Sequence, residues 1–309
     1  MEIQTKVDLA GIILEHPVMN GAGTCKFLEG PEGVRRLVHS NAAAIMVGSM
    51  TIKQREGNIG ETYWSGDGLS LNSRGLPNPG ISYYARNLPE MVVLAHNANK
   101  PLFLSVAGFN PAEYALLSEF AFRRGADGTE LDLGCGNIWE NSQQNRIACF
   151  DPQLMEEILR CVEAKVGEKA RVFVKLSPFS DPVLLRQVAG VIEKFRVVKA
   201  VTTSNTFPNA LLFDEKGKPR ITPGGGLAGL GGSALKPIIL GQIKQLREVL
   251  PKNIAIVGCG GIAAGKDIRD CQLAGANAVQ ICTVLLQFGP EIFTRLLLEF
   301  TDTFNTPAF

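Results

Sequence analysis

The stretch Ile254-Ala-Ile-Val-Gly-Cys-Gly-Gly261 passes from four consecutive apolar residues directly into a glycine-rich turn. A short, continuous apolar run is typical of a parallel strand that is buried on both faces, and glycine at its end lets the backbone approach a ligand closely. The stretch Ala278-Val-Gln-Ile-Cys-Thr283 follows with a similar pattern. The two stretches predict neighbouring parallel strands that end at one binding site.

Runs of this kind recur along the whole chain, each ending in or near Gly, Ser, Thr or Asn. Together with the two above, they cover residues 17–24, 42–49, 101–108, 129–136, 171–178, 200–206, 254–261 and 278–283. Amphipathic segments separate them, and three begin with a capping side chain before proline, at Asn110-Pro111, Asp151-Pro152 and Asp181-Pro182. Eight strand–helix repeats predict an α/β protein with a (β/α)₈ TIM barrel, and an open doubly wound sheet is the alternative.

Three connections are too long to be simple crossovers, namely residues 50–100, 137–170 and 207–253. The active site of a barrel is built from the loops that follow its strands, so these insertions are expected to wall and cap a pocket. No composition break or low-complexity linker interrupts the chain. We therefore expect residues 1–309 to form one domain.

The composition is that of an ordinary globular protein, with 45% hydrophobic residues, 20% charged residues and a net charge of +1. This balance gives no electrostatic reason to expect nucleic acid or an anionic membrane as a partner. No apolar run approaches the ~20 residues of a membrane span. Seven cysteines without a CxxC pair argue against a disulfide framework and against a zinc site, so a reducing cytoplasm is the expected location.

The sequence lacks the usual equipment of hydrolases and metalloenzymes. None of the three histidines follows a predicted strand, and no HExxH, GxSxG or Walker motif is present, so no metal site is expected. The turns after the last two predicted strands instead suit a phosphate group, which barrels bind there through backbone N–H groups. The structural alternative is tight turn chemistry alone.

Two side chains near other strand ends are candidates for chemistry. Lys175 lies inside an apolar strand, where its charge must be paired, and a position facing the pocket would suit an anionic or electron-accepting ligand; an outward, snorkelling lysine is the alternative. Cys135 lies at the end of the fourth predicted strand, where a thiol is either a nucleophile or base or a small inert hydrophobe. The residues alone leave both interpretations of Cys135 open.

An ordered set of motifs along the chain resembles the dihydroorotate dehydrogenases, which are FMN-dependent barrels of pyrimidine biosynthesis. The motifs are Arg55-Glu-Gly-Asn58, Asn72-Ser-Arg-Gly-Leu-Pro-Asn78, Glu130-Leu131 leading to Cys135 and Asn137, Val174-Lys-Leu-Ser-Pro178, Asn205-Thr206, Gly260-Gly261 and Gln280-Ile-Cys-Thr283. The resemblance covers about residues 18–283 and extends to the barrel domain of dihydropyrimidine dehydrogenase. It implies oxidation of dihydroorotate to orotate, with FMN as the cofactor.

The resemblance also implies roles for individual residues. Cys135 stands at the position of the catalytic base, which removes the C5 proton while C6 passes a hydride to the flavin N5. The residues expected to contact FMN are Ala22, Gly23, Ser49, Asp132, Lys175, Ser204, Gly232, Gly260, Gly261, Cys282 and Thr283. Those expected to contact the substrate are Lys26, Asn72, Gly75, Leu76, Asn137, Asn205 and Thr206.

The chain departs from the family pattern at a few positions. Gly48 stands where class 1 members carry a lysine, and we expect Lys26 to restore that charge. Asp132 replaces an amide, and as an ionised carboxylate it would repel the orotate carboxylate. Arg74 stands where the family commonly has an apolar residue, and we expect its positive charge to offset that of Asp132. Gly134 and Gly136 flank Cys135. These departures leave two alternatives: a related FMN enzyme acting on another dihydropyrimidine or cyclic amide, and a flavin-binding homologue without turnover.

The resemblance further implies a small-molecule substrate, and we expect a homodimer. The near-neutral net charge and the lack of a long apolar run predict that neither nucleic acid nor a membrane is a partner. No iron–sulfur or FAD motif is present, so any electron-transfer partner with such a group would be another chain.

Overall fold

The computed structural model describes residues 5–24, 30–140 and 143–305. Eight parallel strands form one sheet in the order β3-β16-β15-β12-β11-β8-β7-β4. Their bounds are β3 Val18–Asn20, β4 Ile45–Met50, β7 Leu102–Val106, β8 Gly128–Asp132, β11 Val172–Leu176, β12 Val198–Thr203, β15 Ala255–Cys259 and β16 Ala278–Ile281. Each lies within or overlaps one of the predicted runs, and the expected (β/α)₈ barrel is confirmed.

The barrel closes between its first and second strands through a side chain. The Nδ2 of buried Asn20 donates to the carbonyl of Met46 at 2.7 Å, and its Oδ1 accepts the Met46 N–H at 2.9 Å. Backbone hydrogen bonds join the same two segments, from the Ala43 N–H to the carbonyl of Val18 at 2.9 Å and from the Gly23 N–H to the carbonyl of Gly48 at 2.8 Å. The Asn20 amide therefore takes the place of a ladder pair at the seam.

The helices pack around this sheet. Their bounds in the described part of the chain are α1 Pro31–Val38, α2 Ile81–Asn97, α3 Pro111–Arg123, α4 Pro152–Val166, α5 Pro182–Glu193, α6 Lys236–Val249, α7 Gly265–Ala274, α8 Thr283–Phe288 and α9 Ile292–Asn305. The three predicted caps are confirmed: the side chains of Asn110, Asp151 and Asp181 accept from the first backbone N–H groups of α3, α4 and α5. None of these helices is long and apolar enough to cross a membrane.

A hairpin closes the N-terminal end of the barrel. Its strands are β1 Val7–Leu9 and β2 Ile12–Leu14, and it buries Leu9 and Leu14 completely against the interior side chains of the barrel. Phe103 and Phe173 stand in the same cluster, with ring centroids 5.0 Å apart. The lower half of the barrel is therefore a packed apolar core, which leaves only the C-terminal face for a ligand.

The long connections form a second sheet over that face. Its strands are antiparallel in the order β13-β14-β6-β5, with β5 Tyr63–Gly66, β6 Leu69–Asn72, β13 Phe207–Ala210 and β14 Ala228–Gly232. We call these four strands the lid sheet. The middle connection contributes a short pair, β9 Trp139–Glu140 and β10 Gln143–Gln144. The Ser70 and Thr283 hydroxyls, 2.9 Å apart, join the lid sheet to the barrel. The sequence predicted a cap here but not its sheet structure.

Candidate active site

A cavity of about 280 Å³ lies between the lid sheet and the C-terminal ends of the barrel strands. Every predicted site residue in the described part of the chain lines this cavity. They are Ala22, Gly23, Ser49, Asn72, Gly75, Leu76, Asp132, Cys135, Asn137, Lys175, Ser204, Asn205, Thr206, Gly232, Gly260, Gly261, Cys282 and Thr283. Lys26 is outside the described residues. The structure thus brings together groups that are up to 261 positions apart, from Ala22 to Thr283.

Lys175 points into the barrel, at the bottom of the cavity. Its Nζ lies 3.4 Å from Oε1 of Glu130 and 3.0 Å from Oε1 of Gln280. The other Glu130 oxygen accepts from the Thr202 hydroxyl at 2.7 Å and from the Gln280 Nε2 at 2.8 Å. All four side chains are nearly or wholly buried. A charge at this depth is tolerated because a partner of opposite sign and several hydrogen bonds compensate it.

The charge state of Lys175 follows from that network. Burial is the largest single influence and lowers the pKa of Lys175, but the negative charge of Glu130 and smaller contributions from Cys259, Cys282 and Asp132 together outweigh it, so the net effect raises the pKa above its usual value. Lys175 therefore presents a fixed positive charge to the cavity. The outward, snorkelling position that the sequence also allowed is wrong.

Asp132 lies one strand away and is itself only 7% exposed. The parallel register of β8 and β11 pairs its Cα with that of Lys175. Its Oδ1 accepts from the Asn205 Nδ2 at 3.0 Å, and the Ser49 hydroxyl stands 3.4 Å from its Oδ2. Burial raises the pKa of Asp132, and the charge of Glu130 adds to the rise, while Lys175 and the Asn205 hydrogen bond oppose it.

Cys135 follows β8 in the loop that leads to Asn137. The thiol lines the main cavity and also a second cavity of about 250 Å³ behind the loop, which Asp132 and Leu76 line as well. The loop is tied down on the lid side, because the Asn58 Nδ2 donates to the carbonyl of Asn137 at 2.8 Å. Cys135 is thus accessible to a ligand in the main cavity while its backbone is held.

The glycines that flank Cys135 fit this loop closely. A Cβ at Gly134 would stand 2.6 Å from the Leu176 backbone at the end of β11, so only glycine allows that contact. A Cβ at Gly136 would meet side chains of Ile147 and Pro208 at 3.0 and 3.1 Å. The Gln144 Nε2 also donates to the carbonyl of Gly136. These contacts hold the backbone on both sides of Cys135.

Three glycines form a cradle at the other end of the cavity. Gly232, Gly260 and Gly261 have φ of 84°, 122° and 75°, a region that favours glycine. A Cβ at Gly261 would stand 2.4 Å from the backbone of Lys236, and one at Gly232 would stand 2.3 Å from the carbonyl of Gly68. Bare backbone at the ends of β14 and β15 leaves N–H groups open to an anion.

The sequence singled out Arg74 to offset Asp132, but it missed the stacking of Arg74 on Tyr63 and the partners of Glu130. Arg74 stacks its guanidinium 4.7 Å from the ring centroid of Tyr63, so the lid side of the cavity carries a half-buried cation. Thr202 and Gln280 were not singled out as the partners of Glu130. The available signal was the polar residue at an inward position of β12 and of β16, between apolar neighbours.

No group of three or more His, Cys, Asp or Glu side chains that could hold a metal ion occurs among residues 5–24, 30–140 and 143–305. The chemistry that the cavity supports with its own residues combines the thiols of Cys135, Cys259 and Cys282 with a fixed cation, a buried carboxylate and several amides. This set suits a planar, hydrogen-bonding heterocycle.

Comparisons with known proteins agree with this chemistry. The family model described as dihydroorotate dehydrogenase matches residues 4–304. The dihydroorotate dehydrogenase (fumarate) of Trypanosoma cruzi is 33% identical over 94% of this chain and 90% of its own length. The dihydroorotate dehydrogenase A (fumarate) of Lactococcus lactis is 32% identical over 95% of this chain and 92% of its own.

A solved structure shows the same fold. The crystal structure of the Eimeria tenella DHODH in complex with ferulenol superposes with a TM-score of 0.78 and covers 98% of this chain and 85% of that chain. The two sequences are 19% identical, so this likeness supports the fold rather than any individual residue.

Proposed function

Because this chain belongs to the dihydroorotate dehydrogenase family, we propose that it is an FMN-dependent oxidoreductase that converts dihydroorotate to orotate in pyrimidine biosynthesis. The observation that carries the proposal is the cavity itself, in which Cys135, Lys175, the amide side chains and the glycine cradle all meet. The (fumarate) in the relatives' names makes fumarate the acceptor to test first.

The residues present fit FMN. The cradle at Gly232, Gly260 and Gly261 offers unshielded backbone to a phosphate, and its turns require glycine because a Cβ at Gly232 or Gly261 would collide with the backbone of Gly68 or Lys236. Lys175 supplies a buried positive charge that suits an electron-accepting ring, and Ser49 and Asp132 line the same part of the barrel mouth. When bound, FMN supplies the redox chemistry by accepting a hydride from C6 of the substrate.

The chain's own groups would handle the proton and the orientation of the substrate. The Cys135 thiolate takes the proton from C5, the acid–base half of the reaction, which typically contributes ~10²–10⁴-fold to the rate. Asn72, Asn137 and Asn205 present amide donors and acceptors to the carbonyl and N–H edges of the ring. The lid sheet covers the site, which limits the access of water.

A second candidate reaction is oxidation of a related neutral dihydropyrimidine or cyclic amide. One observation favours it: Asp132 places a buried carboxylate at the mouth of the barrel, where an anionic substrate would have to approach it. The flavin cradle is the same in both cases, so the two candidates differ only in the ring that is oxidised.

The deciding experiment uses purified protein loaded with FMN, which is mixed with dihydroorotate or with dihydrouracil in the absence of oxygen. We expect about one FMN per chain, bleaching of the flavin by dihydroorotate, and turnover when fumarate or an artificial dye is added. Bleaching by dihydrouracil alone would select the second candidate. A protein that takes up no FMN, or whose flavin neither compound reduces, would reject both.

We also propose that residues 1–309 form one domain, that it assembles as a homodimer, and that it works in the reducing cytoplasm. The hydrogen bond between Ser70 of the lid sheet and Thr283 supports the single domain. The exposed side chains of Leu211 and Phe213 support a partner surface for the homodimer. Sedimentation of the FMN-loaded protein tests the dimer.

The six described cysteines, none of them in a disulfide, support a reducing compartment.

A further inference from the structure

The cavity contains an electrostatic conflict. The proposed substrate and product are carboxylates, yet Asp132 lines the same cavity with a carboxylate of its own. Asn205, whose Nδ2 donates to Oδ1 of Asp132 at 3.0 Å, is also an expected substrate contact. A ligand that meets Asn205 therefore lies close to Asp132. A ligand carboxylate and an ionised Asp132 carboxylate that are both in contact with Asn205 repel each other strongly, because a barrel interior screens charge poorly.

Three basic side chains line the cavity in the described part of the chain, Lys175, Arg74 and Arg295. Arg74 stacks on Tyr63 at the lid side, and Arg295 lies 3.5 Å from Glu299. Lys175 is the register neighbour of Asp132, but its ammonium group is already engaged with Glu130 at 3.4 Å and with Gln280 at 3.0 Å. No ion pair joins Asp132 to a basic side chain within the described ranges 5–24, 30–140 and 143–305. The hydrogen bonds from Asn205 and Ser49 stabilise the carboxylate without neutralising it.

The other ionisable neighbours add negative charge or none. Glu130 lies two residues away on β8, on the same inward face. From α3, the Tyr114 hydroxyl donates to the carbonyl of Asp132 at 3.0 Å. The thiols of Cys135 and Cys149 follow β8 along the chain. Burial raises the pKa of Cys149 to about 12, so this thiol stays uncharged near neutral pH. At the barrel mouth the two carboxylates of Asp132 and Glu130 thus share one ammonium group, that of Lys175, so an anion that arrives beside Asn205 adds to an excess of negative charge, and a proton on Asp132 relieves it.

We propose that Asp132 sets the ligand preference of this cavity: an anionic ligand such as orotate binds together with one proton, which the Asp132 carboxylate takes up, whereas a neutral cyclic amide binds without one. The proton restores a hydrogen-bond donor next to Asn205 and removes the repulsion. This inference rests on the proposed function for the location of the ligand. Its direction follows from linkage, because a group that gains a proton on binding makes affinity fall as pH rises.

The test measures binding rather than turnover, by titrating the flavin absorbance of FMN-loaded protein from about pH 6 to about pH 8. All proteins carry Cys135→Ser, since an unperturbed thiol titrates near ~8.5 and would confuse the result. The probes are orotate and uracil. The variant is Asp132→Asn, which keeps the shape and the hydrogen-bonding positions but cannot take up a proton.

With Asp132 present, the Kd of orotate should rise up to about tenfold per pH unit, the slope of one linked proton, and that of uracil should stay constant. In Asp132→Asn, neither the Kd of orotate nor the Kd of uracil should change with pH. At the upper pH, orotate should bind this variant at least ~10-fold more tightly than the Asp132 protein. Calorimetry in two buffers of different ionisation enthalpy should count about one proton per orotate. This count needs only the Asp132 protein, so it decides the matter even if the variant fails to fold.

An orotate Kd that does not change with pH, or that changes equally in Asp132→Asn, would overturn the inference while leaving dihydroorotate oxidation intact. An equal pH slope for uracil would overturn it as well. Orotate that binds neither protein at any pH would overturn the proposed function along with it. Dihydroorotate turnover in the protein with Cys135 separates these cases, because it reports on the function alone.

Discussion

The buried residues at the barrel mouth form a set in which each charge depends on another. Lys175 stays charged because Glu130 faces it, and Glu130 stays buried because Lys175, Thr202 and Gln280 occupy its oxygens. The removal of one partner leaves the other charge buried and uncompensated, which costs more than the pair contributes as a whole. The stability of the fold and the proposed flavin contact of Lys175 therefore depend on the same two side chains.

Glu130→Gln should lower the free energy of unfolding by about 3 kcal/mol, because the Lys175 ammonium loses its counter-charge in a dry site. Urea unfolding of the FMN-loaded protein at a fixed FMN concentration measures the change. The matched control is Glu248→Gln, whose exposed pair with Lys244 should contribute no more than about 0.5 kcal/mol. Equal effects at the two positions would contradict the buried ion pair.

Cys135→Ser should retain FMN yet slow the reduction of the flavin by dihydroorotate at least ~10²-fold near neutral pH, because a serine hydroxyl is a far weaker base. Stopped-flow absorbance measures the rate. Cys161→Ser changes an exposed cysteine on α4 and should leave it unaltered. If the Cys135 variant is reduced as fast as the parent, Cys135 is a packing residue and the base lies elsewhere.

Among the secondary-structure elements, the ends of the barrel strands and the turns that follow them supply the groups of the site. The barrel strands deliver side chains inward in register, and the turns after β14 and β15 contribute bare backbone. The lid sheet then pairs β6 with β14, elements more than 150 residues apart, and fixes Asn72 opposite Gly229. Segments that are individually ordinary loops become one wall of the cavity only through that pairing.

Gly261→Ala tests the cradle. The new Cβ would stand 2.4 Å from the Lys236 backbone at a positive φ, so the turn must shift, and we expect the protein to purify without FMN. Gly217→Ala is the control, since Gly217 has the same sign of φ but nothing within 4 Å of its Cβ. That control should cost about 1–2 kcal/mol of stability and keep FMN. Flavin absorbance per chain is the measurement, and full FMN content in Gly261→Ala would contradict the cradle.

At the scale of the whole molecule, the two ends of the barrel have different tasks. The C-terminal end is polar and carries the cavity, whereas the N-terminal end is closed by the β1–β2 hairpin and packed with apolar side chains. His16 lies at this closed end, where its Nδ1 accepts from the Val18 N–H at 3.2 Å. Burial lowers the pKa of His16 to about 4, since the neutral ring is favoured there.

This shift predicts how stability depends on pH. Between about pH 6.5 and about pH 4, His16 is protonated in the unfolded chain but stays neutral in the folded chain. The free energy of unfolding should therefore fall as the pH is lowered through that window. The full loss is on the order of 3 kcal/mol, from ~1.4 kcal/mol per pKa unit. Urea unfolding of the parent and of His16→Gln across this range should show a flatter profile in the variant. Parallel profiles would contradict the role of His16.

Local patterns predict the barrel and the direction of its strands, because apolar runs that end in glycine and caps before proline are properties of short segments. The family resemblance, carried by motifs within a few residues of the strand ends, adds the residues expected at the barrel mouth. Such patterns were enough to place Cys135, Lys175 and the glycines at 260 and 261 in one cavity.

The partners of these side chains follow from the folded arrangement and not from any local pattern. Glu130 and Gln280 are 150 positions apart, Asn20 closes the barrel against Met46, and the lid sheet pairs strands from two separate connections. No local pattern specifies such contacts, because the register of distant strands settles which side chains share a face and how far each is from water. For the same reason the sequence could name Asp132 as an anomaly but could not show that burial raises its pKa, since desolvation is a property of the folded surroundings.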